Sequence, residues 1–337
     1  MGLIGGCCTL TYFCCFESRT LDRTAAVNQT SISEVTLVGL TSHRRTQIAL
    51  FVTILIAYLM TILGNLMVIL LVQLDSRLHT PMYFFLSNLS GLEMCFVSSI
   101  VPQMLAHLQS GTGRMSSSHC IAQMYLAGAL GCTEAVLLGA MAYDRYVAIC
   151  RPLLYAVAMS RGRCLLLAAF SWACGFLLTG VVACNIVRLP LCASSRISHF
   201  FCSLQMVLTL LCGDIHHIEV FILVGGVIIL LAPLLVILTS YCLIVIAIVR
   251  MSAGAGRSKA FSTCSSHLVV VTMFYGSLIT LYMRPRSGTD TSHDKHVAIF
   301  YVLITPLLNP VIYTLRNKDV HAAVAKLLRR GGAGHKD

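Results

Sequence analysis

Charge is scarce in this sequence. Only 11% of its 337 residues are Asp, Glu, Lys or Arg, where a soluble domain carries roughly 25%. That shortage excludes a water-soluble globular domain. Acids are scarcer than bases, 13 against 24, for a formal net charge of +11. The excess does not point to nucleic acid, because no basic stripe alternates with aromatics. Three further absences narrow the class. No internal repeat divides the chain into the two related halves of a transporter. No nucleophile, base and metal cluster converge as an enzyme would need. No Lys or Arg precedes the mildly apolar Leu3–Phe16 run, a poor signal peptide. Gly2-Leu3-Ile4-Gly5-Gly6 also lacks the Ser or Thr that myristoylation requires at residue 6.

What the chain has is apolar surface. Hydrophobic residues make up 57%, and the mean hydropathy is +0.83. An integral membrane protein follows, with spans of about 20 residues each. Seven apolar segments are long enough, approximately 48–72, 82–106, 119–145, 163–187, 216–249, 260–284 and 295–315. The fifth is over-long and is expected to tilt or to project beyond the bilayer. The expected organisation is an amino-terminal segment over 1–47, a seven-helix domain over 48–315 and a tail over 316–337. Val320, Val324, Leu327 and Leu328, with Lys326, Arg329 and Arg330 nearby, predict an amphipathic interfacial helix in that tail. The expected fold class is an all-α membrane protein, a seven-transmembrane helix bundle ending in this short helix.

Lys and Arg set the orientation. With the amino terminus outside, 14 of them fall on the cytoplasmic side and 10 on the outer side, or 6 once the four before the first span are set aside. The positive-inside rule therefore favours an amino terminus outside and a carboxyl terminus in the cytoplasm. Asn28-Gln29-Thr30 is then a glycosylation acceptor. Asn88-Leu89-Ser90 matches the same pattern but falls inside a span. Many of the 16 cysteines, among them Cys95, Cys132, Cys174, Cys242 and Cys264, lie in apolar runs and read as small packed hydrophobes.

The central stretch is Met141 to Cys150. It places Asp144-Arg145-Tyr146 at the close of the third span, where a charged pair must meet water or protein. Asn309-Pro310-Val311-Ile312-Tyr313 stands near the end of the seventh. With seven spans and the amino terminus out, these resemble the rhodopsin-like G-protein-coupled receptors. The set narrows with Pro81 to Ser90 opening the second span, Ser240-Tyr241 late in the fifth, Lys259 to Leu268 opening the sixth and Pro306 to Asn317 closing the seventh. All five in order resemble an olfactory receptor, over about residues 28–330, and His79-Thr80-Pro81 resembles the tetrapod-type class. Two features depart from that pattern: an extension over 1–27 with Cys7, Cys8, Cys14 and Cys15, and Glu93 where the family more often has Asp.

The resemblance implies an odorant receptor, not an enzyme, in the plasma membrane of olfactory sensory neurons, that raises cyclic AMP through a stimulatory heterotrimeric G protein. An odorant-type receptor sensing a small metabolite outside the nose is the alternative. It implies disulfides Cys120–Cys202 and Cys192–Cys212, although sequence alone permits three pairings of these four. With helical spacing it points to a ligand lining of Ala127, Gly128, Gly131 and Cys132, Gly225 and Ile229, and Tyr275, Leu278, Ile279 and Tyr282, suited to a small, mainly apolar volatile molecule. Glu93 and Glu134, two carboxylates inside the membrane, are read either as a sodium site completed by Asn309 or as a protonated, hydrogen-bonded pair. The expected switch comprises Asp144, Arg145, Tyr146, Tyr241, Asn309, Pro310 and Tyr313. Asp144 is expected to hold Arg145 at rest, and Arg145 to meet Tyr241 and Tyr313 on activation. Lys259, His267 and the Arg161–Arg163 loop are candidate rim elements, and His199 is expected to be structural. His216 and His217 are adjacent, so they point apart on a helix and share no metal.

Overall fold

Seven long helices carry the apolar segments: α1 Arg44–Leu74, α2 Pro81–Ser110, α3 Ser117–Cys150, α4 Arg161–Val187, α5 His216–Arg250, α6 Ala255–Tyr282 and α7. The last runs Thr291–Ile299, then a π-helical turn Phe300–Ile304, then Thr305–Leu315. The computed structural model describes residues 33–41, 43–191, 196–251, 255–282, 291–315, 320 and 322–323. All seven helices contain a stretch long and apolar enough to cross a bilayer. The chain is a multi-pass membrane protein.

Local chemistry sets the helix ends. Pro81 opens α2 at a position where its missing N–H costs nothing, and Gly111 closes it in the left-handed region at φ 72°. The Ser116 hydroxyl caps α3 by accepting from the His119 N–H. Between α1 and α2, Asp75 accepts from the Arg77 backbone N–H and pairs with its guanidinium at 2.6 Å. The 35 residues of α5 span about 52 Å at 1.5 Å each, well beyond a ~30 Å hydrocarbon core. The over-long fifth segment is thus one continuous helix.

Burial ranks the helices. Of the most apolar window of α3, 61% is buried, against 11% for α5. The third helix is the axis of the bundle, and the fifth turns most of its surface outward. Small residues bring α3 close to its neighbours. A methyl group at Gly175 of α4 would collide with the Thr133 hydroxyl and the Ala129 carbonyl. One at Gly139 would meet the Pro233 side chain of α5 at 3.1 Å. Gly64 of α1 admits the Pro310 ring of α7 in the same way, at 3.2 Å.

The expectation of a purely helical chain omits a small sheet. β1 Glu34–Leu37 lies between β2 Arg114–Ser116, antiparallel, and β3 Arg196–Ile197, parallel. Val35 and Leu37 point into a cluster with Met115, Cys120, Met124, Ile186 and Ile197. Two to four residues per strand are too few for alternation to show in the sequence. This sheet marks one end of the bundle, and Arg145 marks the other. Of the predicted tail helix, Val320 and Ala322–Ala323 are helical, with Val320 and Ala323 buried. Residues 1–32, with Asn28 and the four early cysteines, and the rest of the tail lie outside the described residues.

Candidate functional site

At the Arg145 end, α3 continues to Cys150, so Asp144 and Arg145 sit inside the helix rather than at its close. Both are buried. The expected bond between them is not made. The Tyr155 hydroxyl, on the short helix Tyr155–Ala158, donates to Asp144 Oδ1 at 2.9 Å. Arg145 turns into the bundle instead. Its Nη1 contacts the Met82 sulfur at 3.1 Å, and its Nε makes no hydrogen bond. It lies in electrostatic reach of Tyr241, His267 and Tyr313. Tyr241 Oη and His267 Nδ1 are 2.7 Å apart, with their rings stacked. Tyr313 is buried and its hydroxyl is unpaired. Tyr146 is half-buried beside Tyr143, ring centroids 6.4 Å apart. Sequence reasoning missed Tyr155. It stands three residues past Pro152 on a separate helix, and only the chain reversal there brings it to Asp144. Burial and the Asp144 charge push the Tyr155 phenol well above its ordinary pKa, so it stays a donor. The Lys259 side chain lies outside the described residues.

Halfway along the bundle, Glu93, Glu134 and Asn309 are almost fully buried. Asn309 Nδ2 donates to Glu93 Oε1. Glu93 Oε2, Glu134 Oε1 and Asn309 Oδ1 make no hydrogen bond, and the two carboxyls act on one another electrostatically. Three unpaired buried acceptors in one neighbourhood form an electron-rich oxygen set with no matching donor among the described residues. Next to it, Asn65 Nδ2 donates to the Pro306 carbonyl at 3.3 Å, tying α1 to α7. The sequence reading named Asn309 and Pro310 but not Asn65.

The candidate ligand-lining residues divide by the direction they face. Ala127 is buried on α3. A methyl at Gly131 would approach the Tyr301 hydroxyl to 3.0 Å, which places it toward α7. Tyr275 is buried on α6 and donates to the Leu230 carbonyl of α5 at 3.4 Å. Leu278 and Ile229 are half-buried. Gly128 and Gly225 instead face α4, against Thr179 and Leu178, and Cys132 also lies beside Thr179. Ile279 is half exposed, and the Tyr282 side chain lies outside the described residues. Tyr301, absent from the sequence-derived set, contacts the rings of Phe96 and Phe274 at 5.2 and 6.0 Å. The π turn carries it, and no local pattern announces a π turn.

At the sheet end a Cys120–Cys202 disulfide joins α3 to the segment before α5. Gln123 braces it: its Oε1 accepts from the Cys202 N–H at 2.9 Å and its Nε2 donates to the Ser99 carbonyl at 3.0 Å. Cys212 is disulfide-bonded, while Cys192 lies outside the described residues. His199 is buried against Phe200 and Phe201, ring centroids 4.7 and 4.8 Å away. Burial, then the Lys295 charge, lowers its pKa to about 4.

Seven spans around a buried α3, a disulfide from its sheet end and a buried Arg near the other define the fold class. The fold is that of the rhodopsin-type receptors. It superposes on squid rhodopsin with a TM-score of 0.69, over 85% of this chain and 86% of that one, at 18% identity. The sequence decides the family. The family profile described as "Olfactory receptor" matches residues 54–330. Olfactory receptor 2D2 of Homo sapiens is 47% identical over 304 residues, 90% of this chain and 98% of its own length. Olfactory receptor-like protein OLF3 of Canis lupus familiaris is 45% identical over 89% of this chain and 95% of its own. Olfactory receptor 8U9 of Mus musculus is 45% identical over 90% and 97%. The chain belongs to the olfactory receptor family, a family of receptors rather than enzymes.

Proposed function

We propose that this protein is an odorant receptor, which binds small, mainly apolar volatile molecules among α3, α5, α6 and α7 and activates a stimulatory heterotrimeric G protein to raise cyclic AMP. The sheet end faces outward and the Arg145 end inward. Arg145 carries the proposal. It is a buried guanidinium with an unbonded Nε, not hydrogen-bonded to the neighbouring Asp144 that Tyr155 engages, and within electrostatic reach of Tyr241 and Tyr313. A partner helix entering that end would supply acceptors the receptor lacks. The loop beside it offers an apolar rim, with Leu153 97% and Val157 63% exposed. Ala127, Gly131, Tyr275, Leu278 and Tyr301 support a ligand site that selects by packing and by one or two phenol hydroxyls.

The oxygen set of Glu93, Glu134 and Asn309 fits a hard cation, and sodium is proposed there. Bound sodium would neutralise one carboxylate, and Asn309 would join α7 to the site. A ligand shifts the receptor only by its differential affinity for the two packings, so sodium would favour the packing that keeps Asn309 on Glu93.

Cyclic AMP in cells displaying the receptor, challenged with a broad odorant panel beside an Arg145→Ala variant at matched surface density, tests this function. A parent response that falls at least ten-fold in the variant is expected. A response that survives Arg145→Ala would overturn the role of Arg145.

A further inference from the structure

Gly39, just past β1, is where four parts of the chain meet. Its N–H donates to the His199 carbonyl at 3.3 Å, and its carbonyl accepts from Lys295 Nζ of α7 at 2.8 Å. The His107 ring of α2 packs beneath it, so that an added methyl would come within 2.7 Å of Cε1. Its φ is 73°, which side-chain-bearing residues rarely adopt. Position 39 therefore needs glycine twice over, for the turn and for the room.

The chain on either side is equally fastened. Upstream, the Leu37 N–H donates to Gly113 and the Val38 N–H to Ile197, at 2.9 and 2.8 Å, and the Ser117 N–H donates to Ser33 at 3.0 Å. Val35 and Leu37 are wholly buried. Downstream, Arg44 Nη1 donates to the Leu108 and Gln109 carbonyls at the end of α2, at 3.3 and 3.0 Å. Gln47 Nε2 donates to Thr41 at 3.1 Å. Beneath the turn, Gln47, Met104, His107 and Phe200 border a gap with room for about one water molecule. The segment is therefore held along both edges and packed on His107 below.

We propose that residues 33–41 form a strap across the sheet end of the bundle, and that Lys295 is the latch fastening it to α7. Lys295 is a positioning residue. Its ammonium reaches the Gly39 carbonyl, a bond strong enough to order the strap and weak enough to open. Because the same glycine also holds His199, the latch couples the disulfide-bonded segment around Cys202 to α7, the helix that carries Tyr301 and Asn309. Strap and latch are independent of which ligand or G protein the receptor uses.

Hydrogen–deuterium exchange on the purified full-length receptor in detergent tests this. In the parent, the amides of residues 37–39 should exchange far more slowly than free peptide. Lys295→Met should speed exchange over 33–41 by about ten-fold, the effect of losing one charge-assisted hydrogen bond. The middle of α3 should stay unchanged, and Lys295→Arg should restore protection by keeping a cationic donor. Equal exchange over 33–41 in Lys295→Met and the parent would overturn the latch. So would a Lys295→Arg variant as loose as Lys295→Met, since that would show a general packing defect. Should Lys295→Met fail to fold, the parent and Lys295→Arg still decide: strap amides exchanging at the free-peptide rate in the parent would remove the strap itself.

Discussion

The Tyr155 hydroxyl holds Asp144 at 2.9 Å, and Arg145, one residue on, reaches Met82 on another helix. Asp144 gives one carboxylate oxygen to that phenol and makes no hydrogen bond to Arg145. Replacing Tyr155 by Phe removes a hydrogen bond to a charged group, worth about 1.5–3 kcal/mol, and leaves Asp144 free to recapture Arg145. Tyr155→Phe should therefore lower cyclic AMP signalling about ten-fold at matched surface density. Adding Asp144→Asn to Tyr155→Phe should restore most of it, because the amide carries no charge to hold Arg145. A double variant as weak as Tyr155→Phe would refute this route.

Sodium should stabilise the receptor through the oxygen set on α2, α3 and α7. At ten times its Kd a ligand adds about 1.4 kcal/mol. Thermal unfolding in detergent should move up by a few degrees when potassium chloride is replaced by sodium chloride at equal ionic strength. Glu93→Gln should abolish that difference. A sodium effect of full size in Glu93→Gln would rule out the site.

Acid should loosen the segment that carries His199 and Cys202. The His199 imidazole is held to a pKa of about 4 from an ordinary 6.5. Between those values the unfolded chain binds the extra proton, so stability rises with pH. The contribution is complete above pH 6.5 and is lost as pH falls toward 4, with about 2 kcal/mol gone by pH 5. Unfolding midpoints measured from pH 7.5 to 5 should fall in the parent and fall less in His199→Gln. Parallel slopes in the two proteins would refute the assignment.

Glycines 162 and 175 both sit in α4 and should respond oppositely to alanine. Among the described residues beyond its own helix turn, nothing lies within 4 Å of a methyl at Gly162, whereas one at Gly175 strikes Thr133 and the Ala129 backbone. Gly162→Ala should gain up to about 1 kcal/mol from helix propensity. Gly175→Ala should lose about 1–3 kcal/mol by forcing α3 and α4 apart. The midpoint of thermal unfolding for each purified variant checks the sign. A Gly175→Ala receptor as stable as its parent would mean the helices are not that close.

Much of this is readable in the sequence. The seven helices begin and end within a few residues of the apolar segments, except α3, which overruns Arg145 to Cys150, and α6, which begins at Ala255. Long apolar runs are legible because a bilayer demands about 20 such residues in a row, whatever their partners. Cys120 and Cys202 were nameable because the family resemblance supplied the pairing, which spacing left open. Directions were less legible. Gly128 and Gly225 fall on helices that border a pocket, yet both look toward α4. In a membrane the apolar pattern is much the same on lipid-facing and bundle-facing sides, so it cannot say which way a small residue points.

The sequence by itself determined the class, the seven spans and the family, because each rests on composition, length or ordered motifs that act locally. Tertiary structure alone decided the partners of polar groups. Asp144 answers to Tyr155 rather than Arg145, Asn65 to Pro306, and Gly39 to both His199 and Lys295. Gly39 and Lys295 lie 256 residues apart. A hydrogen bond acts over about 3 Å, and only the packed bundle brings such groups that near.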